Sequence, residues 1–115
     1  MPPRNWKMRV SDILDCIARI TQYTQGYTLE DFREDQKTID AVVRNLEIIG
    51  EAANHIPSEI QARYADLPWM EMRTMRNIVL HEYHGVNLEI IWHTVRENLP
   101  PIIPRLKEIL EGKPS

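Results

Sequence analysis

The sequence predicts an all-α fold: an antiparallel up-and-down four-helix bundle with one or two short extra helices, the last helix broken by prolines. Three observations carry this. Apolar residues recur at three- and four-residue intervals along most of the 115-residue chain, as one face of a helix requires. Alternation of period two is missing, and no Asn-Gly or Asp-Gly pair marks a hairpin. Glycine and proline fall mostly where these patterns stop, with Gly26, Gly85 and Gly112 at pattern ends.

The first helix is expected from about Trp6 to Thr24. Trp6, Val10, Ile13, Ile17 and Ile20 form one stripe, with Arg9, Asp12, Asp15 and Arg19 off it and Cys16 at its edge. Thr28, with Asp31 three residues on, predicts an N-cap. An acidic segment, Glu30 to Asp35, leads into a long helix whose buried face carries Ile39, Val42, Leu46, Ile49 and Ala53, and which Pro57 ends. Gly50, Ala52 and Ala53 make a patch of small residues where another helix can come close. Residues 57–66 predict a short helix. The third major helix follows Pro68 and runs to about Tyr83, with Gly85 as its stop. Asn87 caps the last helix, whose apolar stripe is Leu88, Ile91, Trp92, Val95 and Leu99. Pro100, Pro101 and Pro104 deny a straight helix its backbone hydrogen bonds, so a break is expected near Leu99, with a restart through Leu106 and Ile109. Residues 1–111 are read as a single helical domain and 112–115 as a frayed tail.

Composition excludes several classes. One cysteine rules out an intrachain disulfide framework and a cysteine-based zinc site. No apolar run approaches the roughly 18 residues of a membrane span, and Met1 to Val10 lacks the apolar core of a secretory signal. A cytoplasmic protein with no membrane partner is expected. The net charge is −3, so any nucleic-acid site must be local and built from a few arginines, since a broad basic face is missing.

Polar chemistry gathers on the third major helix, Arg73-Thr74-Met75-Arg76-Asn77-Ile78-Val79-Leu80-His81-Glu82-Tyr83-His84. Asn77 and His81 stand four residues apart and share a face. A metal site through His81 and His84 would need a third ligand from His55, His93 or a distant carboxylate. The string is one residue short of the zincin spacing, and structural histidines explain it better. Cys16 lies in an apolar stripe with no adjacent histidine, which suits an inert core thiol. No nucleophile elbow and no glycine-rich phosphate loop is present. Phosphodiester cleavage of RNA without metal is a further chemistry these residue types can be weighed against. The 2′-hydroxyl supplies the nucleophile, so the protein needs a base, an acid and a cation for the phosphate. Histidine suits proton transfer near neutral pH, and arginine suits the phosphate. On an ideal helix Arg76 and His81 lie about 140° apart, so they flank a groove rather than touch. A second subunit could supply the missing half.

Arg76-x4-His81-x-Tyr83, with Asn77 after the arginine, resembles the RX4HXY signature of the HEPN superfamily, and within it the HepT-like branch. Leu46 to Ala53, Pro68-Trp69 and Gly85-Val86-Asn87 resemble the family's flanking segments. The resemblance spans nearly the whole chain. It implies a dimerising (or higher-order) HEPN-like helical bundle, with the motifs of two subunits facing one cleft, and a metal-independent ribonuclease without a cofactor. It also implies a toxin paired with an MNT-type nucleotidyltransferase antitoxin, which transfers AMP to the motif tyrosine. Carried over, Arg76 and His81 are catalytic, Asn77 and Arg73 are accessory, and Tyr83 is the modification site. AMP on Tyr83 would add bulk and negative charge beside Arg76 and so block RNA.

Simpler roles stand beside these. A histidine near a helix end often makes one structural hydrogen bond, and a tyrosine there often packs its ring with a wet hydroxyl. Met70, Met72 and Met75 suit packing in the core or a dimer. Glu47 and Glu51, four residues apart, suit a solvated face or ion pairs to Arg44 or a facing arginine better than a two-carboxylate acid–base site. Two alternatives to the nuclease therefore remain: a non-catalytic helical module that docks and is modified by a nucleotidyltransferase, and a plain helical scaffold. Arg4 and Arg9 are candidates to make an RNA cleft locally positive.

Overall fold

The computed structural model describes residues 5–82 and 87–112, and for residues 77–82 the backbone only. Among the described residues the chain is helical with no strand.

Helix α1 (Trp6–Tyr23) is capped by the Asn5 side chain, which accepts from the Lys7 amide at 2.8 Å, and it buries Val10, Ile13, Cys16, Ile17 and Ile20. These are the residues of the apolar stripe. The helix closes at Thr24, whose buried hydroxyl donates to the Ile20 carbonyl at 2.8 Å, and Gly26 follows at φ +77°. Only glycine takes that left-handed turn without strain. Short helix α2 (Leu29–Arg33) begins with a reciprocal cap between Thr28 and Asp31 and buries Phe32. The acidic segment is therefore a helix of its own rather than a lead-in to the next one. The separation comes from Asp35, whose carboxylate accepts from the Thr38 amide at 3.0 Å and so starts a new helix.

Helix α3 (Gln36–Asn54) is the centre of the bundle. It packs most extensively against α1 and α5 (Trp69–Glu82). Its buried face runs from Ile39 through Leu46 and Ile49 to Ala53. Asn45, also buried, donates its amide to the Ala41 carbonyl at 2.9 Å, one turn back on the same helix. The helix stops just short of Pro57, which then opens α4 (Ser58–Arg63). Trp69, at the start of α5, donates its indole N–H to the Tyr64 carbonyl at 2.9 Å and fixes the α4–α5 connection.

Helix α6 (Leu88–His93) is capped by Asn87, which accepts from the Glu89 and Ile90 amides at 3.1 and 3.2 Å. The proline segment breaks the helix where expected, with Leu99 standing between the turn before it and the turn after it. Residues Thr94–Asn98 form a wider π-helical turn, Pro100–Ile102 a 3₁₀ turn, and α7 (Ile103–Leu110) resumes with Pro104 in its first turn. The physical reason lies in the proline rings. Each needs space where a tight α-turn would put a carbonyl. The widened turn makes that space, and the Leu99 amide finds the Thr94 carbonyl at 3.0 Å, five residues back. The arm then packs α7 against α1 and α6 against α2.

Two arginines pin this arm. Arg96 donates to the Thr24 and Tyr27 carbonyls at 3.0 and 2.6 Å and lies over the Trp92 ring. Arg105 pairs with Asp66 at 2.8 Å and lies over Tyr64. Among the described residues no helix is long and apolar enough to cross a membrane.

Candidate active site

Helix α5 crosses α3 at Gly50. A methyl group built on Gly50 would stand 2.8 Å from both the Cβ and the backbone nitrogen of Arg76. The two backbones are thus as close as a glycine permits. The small-residue patch serves the approach the sequence led us to expect, and the residue brought in is the arginine of the motif.

The next residue on α3 meets the same side chain. Glu51 accepts from Arg76, with Oε2 2.8 Å from Nη1, and both side chains are about half exposed. The other carboxylate oxygen lies 3.5 Å from Nδ1 of His55, one turn further along α3. That nitrogen is also 2.8 Å from the Glu51 carbonyl oxygen. A carbonyl can only accept, so Nδ1 carries the proton. His55, Glu51 and Arg76 form a chain of contacts that crosses from α3 to α5. From the sequence His55 was a structural histidine or, less well, a third metal ligand, and not a partner of Glu51. The signal was its four-residue spacing from Glu51.

Arg76 opens on a cleft of about 480 Å³ between α1, α3 and α5, lined also by Arg9, Asp12, Arg44, Glu47 and Glu51. Arginines and carboxylates from the three helices face one another there, and Arg44 lies 3.9 Å from Glu47. Glu47 and Glu51 are therefore turned to arginines, as their spacing suggested, and do not form a carboxylate pair of their own. Arg9, on α1, lies in this cleft with Arg76. Arg4 lies outside the described residues.

Arg73 goes elsewhere. Its guanidinium donates to Oε1 of Gln61 on α4. The Gln61 amide in turn donates to the Ile56 carbonyl at 2.8 Å and, more weakly, to that of Ala53 at 3.4 Å. Arg73 thus ties α5 to α4 and to the end of α3, and it does not line the cleft with Arg76. Asn77 and His81 sit on α5, whose backbone runs on to Glu82. Tyr83, His84 and the expected stop at Gly85 lie outside the described residues. Cys16 is buried, and that burial pushes its thiol up from the ordinary value, with nearby Arg19 pulling the other way. It stays a neutral core thiol.

Comparison with known proteins decides the family. Residues 13–109 match the family model described as Ribonuclease HepT-like. The chain belongs to the HepT-like ribonuclease family. It is 38% identical over 106 residues to a protein of Thermococcus cleftensis named "Probable ribonuclease HepT", covering 92% of this chain and 96% of that one. It is 36% identical over 111 residues to a protein of Methanocaldococcus jannaschii named as a candidate RNase, covering 96% and 92%. A candidate RNase of Caldanaerobacter subterraneus is 40% identical over 92 residues, covering 80% and 82%. No solved structure matches the chain with significance. In this HepT-like chain the matched span contains Arg76, His81 and Tyr83 together with Gly50 and Glu51, whereas Arg9 and Asp12 precede it.

Proposed function

We propose that this HepT-like protein is a metal-independent endoribonuclease, the toxin of a toxin–antitoxin pair. The observation that carries the reading is Arg76. Within a ribonuclease-family match, its backbone is seated on Gly50 and its guanidinium is held by Glu51 at the edge of a cleft. A fixed guanidinium is the group a crowded phosphate needs as it gains charge.

In the proposed reaction the RNA 2′-hydroxyl attacks the adjacent phosphorus and the bond to the 5′-oxygen breaks. His81 takes the 2′ proton or returns one to the leaving oxygen. The products are a 2′,3′-cyclic phosphate and a free 5′-hydroxyl. A homodimer would bring a second Arg76 and His81 to the same cleft, which answers the azimuthal gap between the two on one helix. Asn77 is the accessory group in this reading; Arg73, held by Gln61 outside the cleft, would act only by tying α5 to α4. Tyr83 is the site where an MNT-type nucleotidyltransferase antitoxin adds AMP from ATP, the tyrosine oxygen replacing pyrophosphate on the α-phosphorus, and the phosphodiester charge gained would repel RNA.

The test is an RNA-cleavage assay in EDTA on the wild type, Arg76→Ala and His81→Ala, with intact mass followed after addition of the nucleotidyltransferase and ATP. Cleavage should survive EDTA, drop by about 10² or more in either variant, and fall as an AMP-sized mass appears on Tyr83. Undiminished cleavage in His81→Ala would remove it from the catalytic role. No cleavage with the mass shift intact would favour the second reading, a modified docking module; the near balance of arginines and carboxylates in the cleft is the observation on its side.

A further inference from the structure

We propose that Glu51, which lies outside the arginine–histidine–tyrosine motif, is the positioning residue for Arg76. It anchors one edge of the guanidinium so that the remaining N–H groups meet the phosphate. The inference rests on the nuclease reading above and adds to it a residue on a different helix.

Consecutive residues of α3 hold the two ends of Arg76. Gly50 sets where its backbone runs, since a single added carbon would meet the Arg76 Cβ at 2.8 Å. Glu51 sets where its head lies, through the 2.8 Å contact to Nη1. A long arginine side chain otherwise has many rotamers, and about half of this one's surface is open to water. Freezing the head group before RNA arrives removes an entropic cost from the binding step. The contact engages one nitrogen, and a guanidinium carries five N–H donors, so donors remain for a phosphate. His55 Nδ1, bonded to the Glu51 carbonyl oxygen at 2.8 Å, lies 3.5 Å from the second carboxylate oxygen and so packs against the anchor on its far side.

An anchor differs from a bare counter-charge in what it requires. It needs an acceptor atom at a given place, and charge is secondary. Gln keeps the length of Glu and an oxygen that can accept from Nη1. Asp keeps the charge but withdraws the oxygens by one methylene, beyond hydrogen-bond reach.

The experiment compares Glu51→Gln, Glu51→Asp and Glu51→Ala with the wild type and Arg76→Ala. It measures kcat and KM for one RNA at fixed salt, with a thermal melt of each variant. Expected is kcat within about fivefold of wild type for E51Q and roughly 10- to 100-fold lower for E51D and E51A, the scale of an ångström-sized misplacement. The melts should be little changed, because a half-exposed pair adds little to stability. E51D more active than E51Q would overturn the proposal in favour of a charge role. So would faster or tighter-binding E51Q and E51A, which would mean that Glu51 competes with RNA. Wild-type rates in all three would overturn it too. If E51A fails to fold, the ranking of the Gln and Asp variants still decides. A wild type with no cleavage at all would sink the nuclease reading itself, an outcome distinct from loss of cleavage in Arg76→Ala with no effect at Glu51.

Discussion

Gly50→Ala is the substitution that tests the architecture of the site most directly. Its added methyl would lie 2.8 Å from the Arg76 Cβ and 2.8 Å from the Arg76 nitrogen. Carbon atoms rest at about 3.5 Å or more, so α3 and α5 must separate by about 0.7 Å at the crossing. One close atom is backbone and the other is a Cβ, whose place the backbone fixes, so a rotamer change relieves neither. Overpacking of this kind costs about 1–3 kcal/mol. Alanine in place of glycine inside a helix returns about 1 kcal/mol. The net expectation is a loss of about 1 kcal/mol, or about 5 °C in the thermal midpoint of a chain this size. The motif arginine moves with its helix, so RNA cleavage should fall by about tenfold or more. Urea denaturation at fixed protein concentration, run beside a cleavage assay, reads both effects. A Gly50→Ala protein at least as stable as wild type would refute the close approach, because helix propensity alone would then account for the change. Lower stability with unaltered cleavage would refute the claim that Gly50 positions Arg76.

Three further outcomes follow from the packing. Leu106→Ala, at a fully buried site on α7, should cost about 2–5 kcal/mol in urea denaturation; a loss under 1 kcal/mol would mean that the segment after the prolines is not part of the core. Asn87→Ala removes a side chain that accepts from two amides at the start of α6 and should cost about 1 kcal/mol, read by the same titration. The Tyr27 hydroxyl donates to Asp35 at 2.6 Å, a bond that holds the Asp35 carboxyl below its usual range, with help from Thr38, and pushes the Tyr27 hydroxyl up. Asp35 therefore stabilises the fold above its unfolded value of about 3.9, and that increment disappears as pH falls through the lower folded value. Tyr27 acts in the opposite sense, its contribution lasting below about pH 10 and lost above. The stability difference between wild type and Tyr27→Phe should be flat from about pH 5 to 9 and shrink below about pH 4; a difference unchanged at pH 2–3 would argue against the bond.

Most of the fold was legible from local pattern. Helical spacing, the Thr28–Asp31 and Asn87 caps, and the prolines each act over a few residues, and each lies where the sequence placed it. The acidic stretch before α3 was less legible, because Glu30 to Asp35 reads equally as a helix and as a lead-in. Only the side chain of Asp35, turned onto the Thr38 amide, divides it. The wider π-helical turn before Leu99 was hidden for a similar reason. Proline forbids the tight turn but does not say that the turn before the break will widen, and packing of α7 on α1 holds the arm that results.

The candidate site divides along the same line. The residue types and their spacing on α5 belong to the sequence alone, because a helix converts spacing into position by a fixed rule. Which residues of other helices meet Arg76 is a matter of helix crossing, and crossing depends on side-chain volumes summed over a whole interface. So Gly50 and Glu51 could be noted as a small residue and an acid, but their seat beneath one arginine could not. Arg73 and Arg76, three residues apart and alike on paper, part company for the same reason. One is drawn to Gln61 on α4, and the other to Glu51 and the cleft. By itself the sequence determined the helices and the chemistry they carry. Tertiary structure decided which arginine faces a neighbour and which faces the cleft, because that depends on contacts between segments far apart in the chain.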